Sequence, residues 1–258
     1  MASLFLSTAI AAARAAQQVI NHYYQSNLQV TIKSDQSPVT IADVESEKVI
    51  KSIIHAAFPD HGFYGEETGQ ENMQADYLWL IDPIDGTKSF VRRYPMFSTQ
   101  IALMHKGELI LGVSNAPAFG EMAWAEKGTG AYLNGAPIRV SDVRAIKNAT
   151  LSTGNIATLA RSPSWGRLGQ LINQVHRIRG YGDFLHYHLL AAGKIDLVVE
   201  SDVNILDIAA LSVIIKEAGG VFTDLEGQAL NLATRSVLSS NSVALHREVL
   251  ARLNFKPV

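Results

Sequence analysis

A layered protein, α+β in its first half and α/β in its second, is what this sequence predicts. Three observations point there. Short apolar strands follow one another from Phe97 to Pro137 with only tight turns between them. From about residue 140 onward, strands alternate with helices. No stretch rich in Ser, Pro or Gly separates two independent domains, and no internal repeat is present. The chain has 258 residues, 47% hydrophobic and 18% charged, enough for one large unit or two lobes on a shared core. We expect two lobes in one layered unit, 1–140 and 141–258.

The first element is a helix running to about Tyr24, with Leu4, Phe5, Ile10, Ala13, Val19 and Ile20 on its apolar stripe. Its N-terminus has no basic leader, and Arg14 interrupts the apolar run, so an amphipathic helix is favoured over a signal peptide. A polar loop follows from Lys33 to Pro38. A second helix is expected from Ala42 to Phe58, closed by Pro59 and the turn Asp60-His61-Gly62. Gly62-Phe63-Tyr64 is a short apolar segment, and Tyr77–Ile81 reads as a buried strand ending at Asp82. Strands are expected at Phe97–His105, Leu109–Asn115 and Glu121–Glu126, then a turn-laden hairpin from Gly128 to Pro137. In the second half the predictions are a strand at Thr150–Thr153, helices at Gly166–Arg177 and Tyr187–Ala192, and a strand at Ile195–Glu200. A strongly apolar helix, Asp207–Ala218, then ends at Gly219-Gly220 before the strand Val221–Thr223.

Composition excludes several function classes. A formal net charge of −2 gives no basic field for nucleic acid or an anionic membrane, so neither is expected as a partner. With no cysteine, disulfides, thiolate metal sites and thiol nucleophiles are absent, and a reducing, cytoplasmic setting fits. Nothing after the first helix is apolar and long enough to span a bilayer.

The chemistry-bearing residues are acidic. Asp82 and Asp85 stand three apart, with Pro83 between them, at the end of an apolar strand. Pro83 stiffens the chain and turns Asp82 away from helical geometry, so both carboxylates can aim at one point. Gly86 permits a positive φ, and Thr87 adds a hydroxyl and an amide. Oxygen donors of this kind suit a hard cation such as Mg2+. The bland reading is an Asp-rich turn that caps Thr87 or a helix after it. Glu66 and Glu67, between glycines, have the bland reading of a solvated loop. Asp43 has that of a favourable charge at a helix start, and Asp207 that of an N-cap. What joins them is position: Glu66, Asp82, Asp85 and Asp207 all fall at a strand end or helix start, where sites gather in layered α/β proteins.

The strings Gly65-Glu66-Glu67-Thr68 and Trp79-Leu80-Ile81-Asp82-Pro83-Ile84-Asp85-Gly86-Thr87-Lys88-Ser89-Phe90, then Asp207 with Glu217-Ala218-Gly219-Gly220, resemble the inositol monophosphatase superfamily over nearly the whole chain. Gly182-Asp183-Phe184-Leu185-His186-Tyr187, with Asp196–Glu200, is most similar to its histidinol-phosphate phosphatase branch. The resemblance implies an αβαβα sandwich, a homodimer, two to three Mg2+ ions per site and a small phosphate ester as substrate. Carried over by position, Glu66, Asp82 and the Ile84 carbonyl would hold a first ion, and Asp82, Asp85 and Asp207 a second. Asp43 would assist a weaker third. Thr87 with Glu66 would orient the attacking water, Glu67 would stand behind them, and the Gly86 and Thr87 amides would hold the phosphate. Asp183 and Glu200 would contact the substrate, as paired acids suit an amino cation but also serve sugar or inositol hydroxyls. One departure is Leu206, where the family carries Trp or Tyr before the last aspartate; an altered site wall is expected there. His186 and His188, two apart on a helix, face different ways, so only one can line the pocket.

These readings leave three functions open. The first is a histidinol-phosphate phosphatase. The second is an inositol-1-phosphatase, or a broader sugar or nucleotide 3′-phosphatase. The third is a scaffold of the same fold without catalysis, against which the complete acid set speaks.

Overall fold

The structure is a computed structural model and describes residues 2–25, 30–32 and 38–256. Of the polar loop expected from Lys33 to Pro38, only Pro38 falls within them. In chain order the elements are α1 Leu4–Tyr24, β1 Val30–Ile32, β2 Pro38–Thr40, α2 Ile41–Ala57, β3 Gly62–Gly65, β4 Gly69–Glu71, β5 Tyr77–Asp85 and α3 Thr87–Val91. Next come β6 Ser98–His105, β7 Glu108–Ala116, β8 Glu121–Glu126, β9 Ala131–Leu133, β10 Ala136–Ile138, β11 Thr150–Thr153, α4 Ala157–Arg161 and α5 Trp165–Ile172. The chain ends with β12 Arg177–Arg179, α6 Asp183–Ala191, β13 Leu197–Ser201, α7 Ile205–Glu217, β14 Val221–Thr223, β15 Ser236–Ser240 and α8 Val243–Leu253.

Two large sheets organise the core. One has eight strands in the order β10-β9-β8-β7-β6-β5-β3-β4, the other five in the order β12-β11-β13-β15-β14. The period-2 alternation of strands sorts side chains onto opposite faces. Trp79, Ile81, Ile101, Leu103, Leu111 and Val113 face α1 and α2. Leu78, Leu80, Ala102, Met104, Ala123 and Ala125 face the other way, onto α6 and α7. Val198, Phe222 and Val237 of the five-stranded sheet close on the same two helices. The outer face of that sheet, with Leu151, Leu197, Val199 and Leu238, is covered by α5 and α8. The layers therefore run α, β, α, β, α, as the sandwich expectation requires. Helix α7 sits between two sheets, which explains why it is apolar all round: ten of its residues, from Ile205 to Ile215, are buried.

Several boundaries differ from expectation. The buried face of α1 is made by Leu6, Thr8, Ala9, Ala12, Ala13, Ala16 and Ile20, while Leu4 is two-thirds exposed. Small alanines bring this helix close to α2, and of the larger residues of the expected stripe only Ile20 is fully buried, with Phe5, Ile10 and Val19 at the margin. The helix expected over Gly166–Arg177 stops at Ile172. Arg177 instead opens β12, which pairs parallel to β11 at the sheet edge. Helix α6 starts four residues early, at Asp183, and α7 two early, at Ile205. Strand β15 and helix α8 have no counterpart among the expected elements; the short, serine-rich β15 is held by pairing between β13 and β14. Among the described residues no helix is long and apolar enough to cross a membrane.

Candidate active site

The stiff turn expected after the strand Tyr77–Ile81 is instead a bulge within it. β5 continues to Asp85, and its register against β6 shifts between Asp82, opposite Gln100, and Asp85, opposite Ser98. A bulge lets two residues meet one partner and re-aims side chains. Here it turns Asp82 and Asp85 to the same side. Asp82 Oδ1 accepts from the Ile84 amide at 3.0 Å, and the Pro83 carbonyl accepts from Thr99 Oγ1 at 2.9 Å, so the irregular backbone is held internally. Gly86 comes next with φ 90°, and a Cβ there would stand 2.4 Å from the Met96 carbonyl oxygen. Only glycine meets both demands. Gly86 opens the one-turn helix α3, so its amide and that of Thr87 border the cleft.

Asp207 reaches the same point from the other sheet's side. It occupies the third position of α7, and its carboxylate accepts from the backbone amide of the true N-cap, Asn204, at 2.7 Å in a reciprocal capping box. The N-cap expectation for Asp207 is thus half right: it caps, but from inside the helix. Oxygens of Asp82, Asp85 and Asp207 come within 4.8 Å of one another. Asp43 repeats the device on α2, where one oxygen accepts from the Thr40 amide at 2.8 Å. Its other oxygen accepts from Thr87 Oγ1 at 3.2 Å, and that hydroxyl also stands 3.0 Å from the Ile84 carbonyl. Thr87 therefore pairs with Asp43, a link that the sequence pattern does not reveal.

Glu66 is delivered by the loop after β3, and it shares a side-chain hydrogen bond with Asp82. The loop has an anchor that sequence reasoning missed. Glu47, fully buried on α2, accepts from the amides of Glu67 at 2.7 Å and Thr68 at 2.9 Å, and from the Thr68 hydroxyl. The signal was available, since a charged residue on the apolar face of an amphipathic helix needs a partner.

The electrostatics result from burial and crowding. Burial, then the charges of Glu66, Asp85 and Asp207, push Asp82 well above the usual carboxylate range. Burial, then Asp207, Asp183 and Glu200, do the same to Asp85. Asp207 is pushed up to about 7, chiefly by burial, against the pull of the Asn204 amide. Burial also raises Asp43. Among the described residues no Lys or Arg forms an ion pair with Asp43, Asp82, Asp85 or Asp207. Buried carboxylates with no cation partner call for one, and an all-oxygen donor set with one backbone carbonyl at hand fits a hard divalent ion.

Asp183 and Glu200 are brought together but play unequal parts. Asp183 opens α6 with φ 46°, a left-handed conformation rare outside glycine, and it lines the cleft of about 420 Å³ shared with Glu66, Asp82, Asp85, Thr87 and Asp207. Burial and the charge of Glu200 raise it to about 6, while His186 pulls the other way. Glu200 sits behind it, 2% exposed rather than ending its strand in solvent. Its carboxylate accepts from the Tyr187 hydroxyl at 2.7 Å and the Asn155 amide at 2.9 Å, with His186 Nε2 at 3.2 Å. Burial alone raises this group, but His186 and the hydrogen bonds outweigh it and hold Glu200 below the usual range. A Cβ at Gly154 would stand 1.9 Å from Glu200 Oε1, so glycine is what admits the carboxylate.

Two expectations need correction. Leu206 forms no site wall; it is 2% exposed in the core between the sheets. The aromatic side chain on the cleft is Tyr94, 45% exposed, from the loop after α3. Neither His186 nor His188 lines the cleft: the first packs on Glu200 and Ser152, the second turns to Ser114 and Glu121.

Comparison with known proteins agrees with this geometry. The sequence profile described as the inositol monophosphatase family matches residues 1–257. A histidinol-phosphatase from Mycobacterium tuberculosis is 39% identical over 233 residues, 88% of this chain and 89% of that protein. A histidinol-phosphatase from Chlorobaculum parvum is 35% identical over 242 residues, 94% and 93% of the two chains. The solved structure of an IMPase from Thermotoga maritima superposes with a TM-score of 0.84 at 34% identity, covering 95% of this chain and 94% of that one. This chain belongs to the inositol monophosphatase family and is a phosphoric monoester hydrolase.

Proposed function

We propose that the cleft hydrolyses a phosphate monoester carrying an amino cation, with histidinol phosphate the leading candidate and Mg2+ the metal. One observation carries the substrate reading. Asp183, held at φ 46°, presents a carboxylate to the cleft that also holds Asp82, Asp85 and Asp207. A backbone strained in this way persists only where the surroundings impose it, and such strain clusters at functional sites. An anionic group opposite the phosphate end selects a substrate with a positive tail. The relatives named histidinol-phosphatase, at 35% and 39% identity, support the choice.

The residues take these roles. Glu66, Asp82 and the Ile84 carbonyl form one donor set, and Asp82, Asp85 and Asp207 another, with Asp43 beside them. Bound there, Mg2+ would supply positive charge for water activation and for the leaving oxygen. Thr87 Oγ1 has a single hydrogen, held by Asp43 Oδ1 or the Ile84 carbonyl, which leaves a lone pair facing the cleft to orient the attacking water. Glu66 stands on the other side of that water, and Glu67 and Thr68 fix its loop through Glu47. The Gly86 and Thr87 amides receive the phosphate oxygens. Asp183 receives the amino group, and Glu200 buttresses that wall. Tyr94 closes the open side.

The second reading, a phosphatase of inositol or sugar phosphates, is favoured by the likeness to the Thermotoga IMPase. A panel of phosphate esters with Mg2+ separates them. We expect kcat/KM for histidinol phosphate to exceed that for inositol 1-phosphate about a hundredfold, roughly 2.7 kcal/mol. Asp183→Asn should bring the two within about tenfold. Equal turnover of the two esters by the wild type would favour the second reading.

A further inference from the structure

The Asp85 carboxylate is tied to a line of buried side chains that lies outside the cleft. Ser98 Oγ donates to Asp85 Oδ2 over 3.4 Å. The Gln100 amide nitrogen donates to Ser98 Oγ at 2.8 Å and to Ser114 Oγ at 3.0 Å. Ser114 Oγ is 2.9 Å from His188 Nε2, and His188 Nδ1 is 3.1 Å from Glu121 Oε2. Ser98, Gln100 and Ser114 are fully buried and His188 nearly so, whereas Glu121 lines a separate surface groove beside Arg14 and Gln17.

Counting hydrogens gives this line a direction. A serine hydroxyl has one hydrogen, and a primary amide nitrogen has two. Gln100 donates to both serines, so each serine directs its own hydrogen outward, Ser98 to Asp85 and Ser114 to His188 Nε2. His188 Nε2 is then an acceptor, its hydrogen sits on Nδ1, and that hydrogen meets the Glu121 carboxylate. The opposite amide orientation is poorer. Gln100 Oε1 has no partner among the described residues, and reversing the amide would leave two donors unmet there in place of one acceptor. It would also draw the Ser98 hydrogen away from Asp85.

Four buried polar side chains side by side are costly unless paired, and every polar side-chain atom of Ser98, Gln100, Ser114 and His188 except Gln100 Oε1 has a partner among the described residues. Groups that hydrogen-bond a metal's ligands fix ligand orientation and are worth about 10- to 100-fold in metal affinity. We propose that Glu121, His188, Ser114, Gln100 and Ser98 form a positioning line that holds the Asp85 carboxylate in the orientation a divalent cation requires. This rests on the reading of Asp85 as a metal ligand.

The test is Mg2+ binding by titration calorimetry, with melting of each variant in EDTA as a check on folding. Gln100→Leu and His188→Leu should weaken Mg2+ binding about tenfold. His188→Gln should stay within about threefold of wild type, because its amide can accept from Ser114 and donate to Glu121. Ser114→Ala removes one hydroxyl and little volume, so it keeps the test alive should a leucine variant fail to fold; it should weaken Mg2+ binding at least about threefold. Asp85→Asn should lose one binding event outright. Unchanged Mg2+ affinity in folded Gln100→Leu or Ser114→Ala, with only a lower melting point, would reduce the line to core packing and overturn the proposal. Wild-type Mg2+ binding by Asp85→Asn would overturn the metal reading of Asp85, and the positioning role with it.

Discussion

Replacing Asp82 by Asn is expected to abolish turnover and, in the same protein, to raise the melting temperature measured without Mg2+. Asp82 is 2% exposed and lies against Glu66, Asp85 and Asp207, which together with burial disfavour its ionised form. Asn has the same shape, keeps an oxygen for the Ile84 amide now bonded at 3.0 Å, and carries no charge. The folded, metal-free state should gain on the order of 2 kcal/mol, which for a domain of this size is about 5 °C. The same change takes one donor from both proposed metal positions. Charge stabilisation of several kcal/mol is at stake there, so kcat/KM should fall by about 10³ or more. The paired measurements are phosphate release with Mg2+ and calorimetric melting in EDTA. A variant that melts lower and still turns over would contradict both halves of the argument. Opposite signs for stability and activity are what a site built at the expense of stability should give.

The second large effect is on pH dependence. Asp207 is raised to about 7 and Asp183 to about 6 in the folded protein. A folded carboxyl that binds its proton more tightly than the unfolded one contributes stability at low pH. That contribution is lost as pH rises from the ordinary carboxylate range through 6 and 7. His246 works in the opposite sense: burial lowers it to about 4, so it destabilises progressively as pH falls below about 6.5. A plain melting curve against pH mixes the two. The difference between melts with and without Mg2+ isolates the acid cluster, because His246 bonds to Thr223 and Ser240, away from the cleft. That difference should be small at pH 5 and grow to about 5–10 °C at pH 8, as cations replace protons on the carboxylates. A Mg2+ shift that is flat across this range would show that the cluster's protonation is not coupled to metal.

Much of the fold and of the candidate site's acid cluster could be read from the sequence, because both are written in local patterns. Alternating and continuous apolar runs announced β5 through β8, and the all-round apolarity of α7 matches its place between two sheets. The string Asp82 to Thr87 packs acids, a proline and a glycine into six residues, and the convergence of its two carboxylates survives the change from expected turn to observed bulge. What escaped depends on pairing at a distance. The start of α6 was hidden because Gly182 and Asp183 both take positive φ, which no helix signal encodes. The Glu47 anchor joins α2 to a loop twenty residues on. The line through Ser98, Gln100 and Ser114 arises from strand register: Asp85 lies opposite Ser98, and Gln100 opposite Ser114. Two polar residues two apart in a strand, facing a third on its neighbour, were visible in the sequence but unreadable without that register. Leu206 was misassigned for the same reason, since which face of α7 met the cleft was set by the sheets around it.

Hydrolysis is expected to depend on divalent ions held by the acids gathered at the β5 bulge. Phosphate release from histidinol phosphate, monitored first in EDTA and then across a Mg2+ titration, tests this dependence most directly. Turnover should be absent in EDTA and recover fully as Mg2+ is restored, whereas undiminished phosphate release in EDTA would show that these acids do not act through a divalent ion.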